Sequence, residues 1–327
     1  MILYPLKFKP ILKEKVWGGT SLSKYGKTLF DNIKIGESWE LSDLPDNIKN
    51  GKSIIDNGPL EGTSLHDAIK QNPHYMGDAA LINNCFPLLI KFLDATDNLS
   101  VQVHPSEQYA KEHPDVHLKS EAWIILDVEE GGCIYVGLKS GTTEPQLRKA
   151  IASNSVPDYI QKIPVKQGDC YYLPSGTCHA LGKGIVVAEI QTASDTTFRI
   201  WDWGREDREM HIEEAMRCID FSTTAPSFVT PEPLQSGDFS TTSLVDTPFF
   251  SVEKVESTVD TELTLETNFT PQILMVVGGC AIIKHEYGFE APLGTTVLLP
   301  AGLHVKLTMP KGTALLQCDL PGKKRIA

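Results

Sequence analysis

The chain is poor in the features that bind a protein to a membrane, to nucleic acid or to itself through disulfides. Its seven cysteines, at 85, 133, 170, 178, 218, 280 and 318, are odd in number, scattered, and form no C-x-x-C pair. That pattern excludes a disulfide framework or a cysteine-built zinc site and fits a reduced, cytoplasmic protein. Long apolar runs are missing. None approaches the roughly 18 residues of a spanning helix, and Met1 to Pro10 shows no basic segment leading into an apolar one. No membrane partner is expected. Positive charge is also short: 30 Lys and Arg against 42 Asp and Glu leave a net charge of −12 and a pI near 5.2. Such a balance argues against nucleic acid as a partner, and an anionic substrate then requires a local basic pocket.

What is present suffices for a large core. The 327 residues, 41% of them hydrophobic, suit two domains. Short strands dominate the pattern. Gly36 to Asp43 alternates large residues, Phe86 to Asp94 is a nearly continuous apolar run carrying Lys91, and Gly184 to Gln191 is a further strand. Helical patterns are brief. Ser64 caps a turn with Asp67 at its third position, Ser106 opens a helix over Glu107 to His113, and Ile212, Ala215, Met216 and Ile219 share one face. Thr143 and Gln146 read as a capping box that begins a helical excursion over about 141–163. Residues 222–243, with Pro226, Pro231 and Pro233, read as a connection rich in Ser, Thr and Pro.

One stretch organises the first part. Gly168-Asp-Cys-Tyr-Tyr-Leu-Pro-Ser-Gly-Thr-Cys-His179 has the form G-x5-P-x-G-x2-H, a strand, a tight turn and a histidine opening the next strand. It resembles the second motif of the cupin superfamily of small β-barrels. The turn recurs as Gly294-Thr-Thr-Val-Leu-Leu-Pro-Ala-Gly-Leu-His304, one residue shorter, behind a Gly-Gly-Cys turn like that at Gly131-Gly132-Cys133. The fold expected is therefore mainly β, two cupin-type jelly-roll barrels with a short helical insertion in the first. Residues 1–240 form the metal-binding domain and 241–327 a degenerate copy without a site. The position matching Glu121 falls near Thr270 or Pro271, and His304 is read as structural.

Alternate residues of a strand share a face, so Ser100, Gln102 and His104 point one way, as do Lys119, Glu121 and Trp123. With His179 they offer two imidazoles, a carboxylate and an amide oxygen. These donors suit Zn²⁺ and would also accept Mn²⁺, Fe²⁺ or Co²⁺. From spacing alone, four half-buried polar residues is an equal reading. His66, His113, His117 and His211 fall in helical or loop contexts and are read as surface residues.

Five segments in order, Pro87–Asp94, Leu99–Ser106, Lys119–Trp123, Leu173–Ala180 and Ala188–Asp195 running on to Phe198-Arg199, resemble the type I mannose-6-phosphate isomerases in their short bacterial form. The resemblance implies one zinc ion per chain at Gln102, His104, Glu121 and His179. It also implies a catalytic role for Arg199 and active-site places for Ser100, Lys119 and Glu189, with a phosphorylated hexose as substrate. Ser100, Lys119 and Arg199 are expected to contact that substrate, in a monomer or weak homodimer. The general base stays open among Glu189, Lys119 and a metal-bound water; Lys91 and Arg205 read either as pocket cations or as salt bridges at the rim. Two other classes compete: a non-catalytic sugar-binding cupin, which tolerates loss of Glu121 or Arg199, and an iron-dependent cupin dioxygenase, which has no use for Arg199 and Lys119 together.

Overall fold

The computed structural model describes residues 3–30, 33–222 and 232–321. The described strands, numbered in chain order, build four antiparallel sheets. The first holds six strands in the order β2 (Ile11–Gly19), β3 (Ile35–Leu41), β4 (Leu88–Ala95), β11 (Ile185–Thr192), β6 (Glu121–Val128) and β9 (Cys170–Leu173). The second holds five: β12 (Phe198–Trp201), β5 (Val101–Val103), β10 (His179–Leu181), β7 (Cys133–Leu138) and β8 (Ile160–Pro164). The third runs β1 (Leu6–Lys7), β20 (Thr296–Leu299), β17 (Gln272–Gly278), β22 (Ala314–Asp319), β15 (Ser251–Ser257), β14 (Phe239–Asp246) and β13 (Leu234–Ser236). The fourth is β16 (Thr261–Glu266), β21 (His304–Met309), β18 (Cys280–Lys284) and β19 (Glu290–Pro292). No sheet closes on itself among the described residues.

The sheets work in pairs. Trp17, Leu93, Trp123 and Leu173 of the six-stranded sheet pack against Ile134, Val136 and Leu181 of the five-stranded one. Leu274, Val297 and Leu315 pack likewise against Leu265, Ile283 and Val305 in the other pair. The strand order repeats as well: β3-β4-β11-β6-β9 corresponds to β14-β15-β22-β17-β20, and β5-β10-β7-β8 to β16-β21-β18-β19. The two large sheets then meet through the largest core cluster, with Ile90, Phe92, Ala188 and Ile190 against Val252, Ile273, Met275 and Leu316. This second interface explains why β4 and β11 are buried throughout, since both of their faces are covered. Each large side chain so buried contributes roughly 1.5–3 kcal/mol of transfer free energy. Lys27 adds a polar tie: its Nζ donates at 2.7 Å to buried Glu40 and at 2.8 Å to the carbonyl of Gly294 in the other pair.

Four helices, α1 (Leu65–Gln71), α2 (Glu107–Glu112), α3 (Glu144–Ala152) and α4 (Ile212–Cys218), complete the described elements with short 3-10 turns. Tyr109 of α2, Leu147 of α3 and Met216 of α4 cover the outer face of the five-stranded sheet, against Val101, Val103, Ala180 and Ile200. The capping residues act as their chemistry suggests. Ser64 and Ser106 each accept a backbone N–H from the first turn, and Gln146 reaches back to the N–H of Thr143.

Three expectations change. The helical excursion ends at Ala152 rather than near 163: Asn154 takes a left-handed turn (φ 56°), and Ile160–Pro164 becomes β8, which buries Ile160 beside β7. The counterpart of Glu121 is Gln272 rather than Thr270 or Pro271, because Glu121 pairs with Leu173 and Gln272 with Leu299, each just before the turn proline. Of the Ser/Thr/Pro-rich connection read over 222–243, residues 223–231 lie outside the described residues, and beyond them β13 pairs with the start of β14 as a hairpin of the third sheet. No described helix is long and apolar enough to cross a membrane.

Candidate functional site

Strand register gathers the site. Strand β5 lies between β10 and β12, so Gln102 pairs with His179 on one side and Arg199 on the other. In the facing sheet, Lys91, Glu189 and Trp123 stand side by side on β4, β11 and β6. The turn that opens β10 sets the remaining geometry. Gly176 sits at φ 86°, where an added Cβ would meet the carbonyl of Cys218 at 2.9 Å, and its N–H donates to the carbonyl of His104 at 3.3 Å. One glycine therefore places both histidines.

At the base of the gap, His104 Nε2 lies 3.3 Å from one oxygen of Glu121 and His179 Nε2 lies 3.2 Å from the other. All three residues are at most 2% exposed. The Nδ1 atoms face backbone carbonyls, of Thr196 at 3.1 Å and Thr177 at 2.8 Å, which fixes the ring protons there and leaves each Nε2 with its lone pair turned to the carboxylate. His104 Nε2 and both Glu121 oxygens make no well-aligned hydrogen bond, the Lys119 ammonium lying beside one of those oxygens at 2.9 Å. Burial, reinforced by the Lys119 ammonium, pushes the His104 imidazole down to about 3, so it stays neutral. Burial by itself would raise Glu121. The Lys119 ammonium, 2.9 Å away, outweighs it and holds the carboxyl well below its usual range. Gln102 completes the group, its amide nitrogen 3.4 Å from His179 Nε2 and its oxygen accepting from the Ser100 hydroxyl at 3.4 Å.

Buried lone pairs without protons between them are costly unless a cation fills the space. The donor set, two imidazole nitrogens and a carboxylate with an amide beside them, fits a divalent metal ion, and His104, Glu121 and His179 form a group of metal-binding type.

Above this group lies a cleft of about 280 Å³ lined by Ser100, Gln102, Lys119, Glu189 and Arg199. All the sequence-predicted site residues except the buried His104, Glu121 and His179 therefore line the cleft, and those three form its metal-type floor. Lys91 lines it too, but as an ion-pair centre: its Nζ lies 3.2 Å from Glu189 and 3.8 Å from Glu37. Arg205 instead pairs with Asp97 at 2.9 Å and Asp202 at 2.7 Å and does not line the cleft. Sequence reading missed Lys15, Glu37, Asp195 and Arg208, which also line it. Glu37 was within reach, because it alternates with Trp39 on a recognised strand; Lys15 joins only through its 2.8 Å pair with Glu37. Burial disfavours the Glu37 carboxylate, but Lys91 and Lys15 bring it down to about 2. The four histidines read as surface residues are half-buried instead: His113 stacks on Tyr109 and His66 pairs with Asp43.

Residues 6–131 match the family described as phosphomannose isomerase type I, catalytic domain. The chain is 36% identical over 309 residues to mannose-6-phosphate isomerase ManA of Bacillus subtilis, covering 93% of this chain and 95% of that one. It is 38% identical over 255 residues to the mannose-6-phosphate isomerase of Streptococcus mutans, covering 76% and 78%. Its fold matches the crystal structure of the mannose 6-phosphate isomerase from Bacillus subtilis with a TM-score of 0.86 at 29% identity, over 96% of this chain and 99% of that one. With near-complete coverage by such relatives, the chain belongs to the type I phosphomannose isomerase family.

Proposed function

We propose that the protein is a metal-dependent aldose–ketose isomerase that interconverts mannose 6-phosphate and fructose 6-phosphate. The observation that carries this is the convergence of His104 Nε2, His179 Nε2 and the Glu121 carboxylate, buried and proton-free, on the floor of a cleft lined by Lys119, Glu189 and Arg199. Gln102, His104, Glu121 and His179 hold one Zn²⁺ ion per chain. When bound, the cation supplies electrostatic stabilisation for negative charge building on O1 and O2 of the open-chain sugar.

The remaining work falls to side chains. Glu189 takes the proton from one carbon and returns it to its neighbour. Its Oε2 is fixed by the Trp123 indole N–H at 3.1 Å, and its buried Oε1 faces the Lys91 Nζ at 3.2 Å on the wall of the cleft. Lys91 is an ammonium that Glu189 and Glu37 hold above its usual value against the pull of burial. Arg199 stays charged and so holds oxyanion charge rather than accepting a proton. Lys119 and Ser100 orient the sugar oxygens, and Lys15 and Arg208 receive the phosphate in an otherwise acidic chain. Each sheet pair is a jelly-roll barrel of cupin type in this reading: residues 1–240 carry the site, and 241–327, joined by β1, β13 and the start of β14, form the second, site-less domain.

The test is direct. Purified protein is expected to contain about one equivalent of metal, to form fructose 6-phosphate from mannose 6-phosphate, and to lose that activity to a chelator and regain it with zinc. Chelator-insensitive turnover, or none after zinc is restored, overturns the proposal. Glu189→Gln is expected to keep the metal while losing exchange of the C2 proton with solvent.

A further inference from the structure

A second cluster of metal-ligating side chains lies away from the cleft. Asp43 follows β3, His66 is on α1, and Cys85 precedes β4. One ligand atom from each lies within 4.8 Å of the other two. The Asp43 Oδ1 is 3.2 Å from His66 Nδ1, and the Phe86 N–H donates to Asp43 Oδ2 at 2.8 Å, which fixes the carboxylate. Asp43 is 1% exposed and Cys85 8%. His66 is the accessible member, and it borders a cavity of about 760 Å³ shared with Ile69, Met76 and Ala79, a space that has no lining residue in common with the catalytic cleft.

We infer that Asp43, His66 and Cys85 form a second divalent-cation site, selective for a borderline-soft d¹⁰ ion such as Zn²⁺ or Cd²⁺. The chemistry of the donors sets that class. A thiolate excludes hard ions such as Mg²⁺, an imidazole and a carboxylate suit zinc, and three protein ligands leave a fourth position for water. The cavity beside His66 gives the ion a route from solvent to the two buried ligands. Binding displaces the thiol proton to solvent, so uptake strengthens as pH rises. An ion held there ties three segments distant in sequence, and its affinity for the folded chain alone adds to stability. The inference is independent of the catalytic reading, which uses none of these residues.

Equilibrium dialysis against Zn²⁺ separates the two sites. The wild-type chain is expected to bind two equivalents. Cys85→Ser and His66→Gln each bind one and keep full isomerase activity, whereas His179→Ala binds one and loses activity. With Cd²⁺, the wild type and His179→Ala show the ultraviolet thiolate-to-cadmium charge-transfer band and a raised melting temperature, and Cys85→Ser lacks the band. His66→Gln changes a half-exposed residue and guards against a Cys85→Ser chain that folds poorly. A wild type whose single equivalent survives in Cys85→Ser, or a Cys85→Ser chain that folds and keeps both the second equivalent and the band, overturns the inference. If His179→Ala loses nothing while Cys85→Ser loses one, the catalytic assignment fails and this one stands.

Discussion

The two sheet pairs share a strand order and a turn, yet only one holds a group of metal-binding type among the four matched positions. Their comparison shows how little separates a site from a core. Gly176 donates to the carbonyl of His104, and Gly302 donates to the carbonyl of Thr267 in the same way. Gln102 pairs with His179 where Leu265 pairs with Val305. Thus Gln102, His104, Glu121 and His179 correspond to Leu265, Thr267, Gln272 and Val305. The histidine of the second turn, His304, comes one residue too early. Side chains alternate along a strand, so one residue fewer turns it to the other face. Its side chain is 66% exposed beside Glu266, and Val305 fills the inward place. The ion-pair row is lost as well: Lys91 opposite Glu189 becomes Glu253 opposite Gln317.

The strongest break of this comparison is His179→Ala against His304→Ala. The first is expected to lose its catalytic-site metal and fall to the activity of metal-free protein. The second keeps both, with stability within about 0.5 kcal/mol of wild type. Metal analysis beside the isomerase assay decides it, and a loss of metal in His304→Ala would reverse the assigned roles.

Lys91→Met comes next. It leaves Glu37 and Glu189 buried without their shared cation, and urea unfolding should register about 3–5 kcal/mol of destabilisation. Glu253→Ala, at the matching place in the other pair, should stay within about 0.5 kcal/mol.

Glu37 offers a pH test. Its folded value is depressed from 4.5 to about 2, so its contribution is present above 4.5 and fades as pH falls toward 2. Glu37→Gln is therefore expected to cost about 3 kcal/mol at pH 7, with the gap to wild type narrowing only below pH 4.5. A gap unchanged by acid would mean that packing, not charge, sets the cost.

The smallest effect is that of Val305→His. It restores an inward histidine without partners and should cost about 1–3 kcal/mol for a buried polar group left unpaired, with no gain in bound metal. Metal uptake by this single variant would show that the turn alone specifies a site.

Much of the site was legible because strands alternate. Gln102, His104, Glu121 and His179 could be placed on shared faces from parity, and the repeated Gly-Pro-Gly turn announced two related units. Parity also carried the answer for His304, since G-x2-H and G-x-H differ by one step. The missing part depends on distance across sheets. Nothing local in Lys15 or Asp195 marks them as cleft residues, because they reach it only through the pairing of β2 with β3 and the loop after β11. The end of the helical excursion failed for a similar reason. Ile160 and Ile163 fit a helix as well as a strand until β7 supplies an edge to pair with. The nearly continuous apolar run of β4 foretold burial on both faces, but not that the second cover would be the other unit's large sheet.

The pairing of Leu6 with Leu298 has a consequence for how the chain is made. Leu6 and Lys7, next to buried Tyr4 and Phe8, form an edge of the sheet whose other described strands begin only at Leu234. Until those strands emerge, this early segment lacks its sheet partner and the nascent first unit presents its outer apolar surface to solvent or to chaperones. Maturation therefore waits for the later strands, which cover that surface and capture the early segment. The site-less half of the molecule then serves as the clasp that finishes the half with the chemistry.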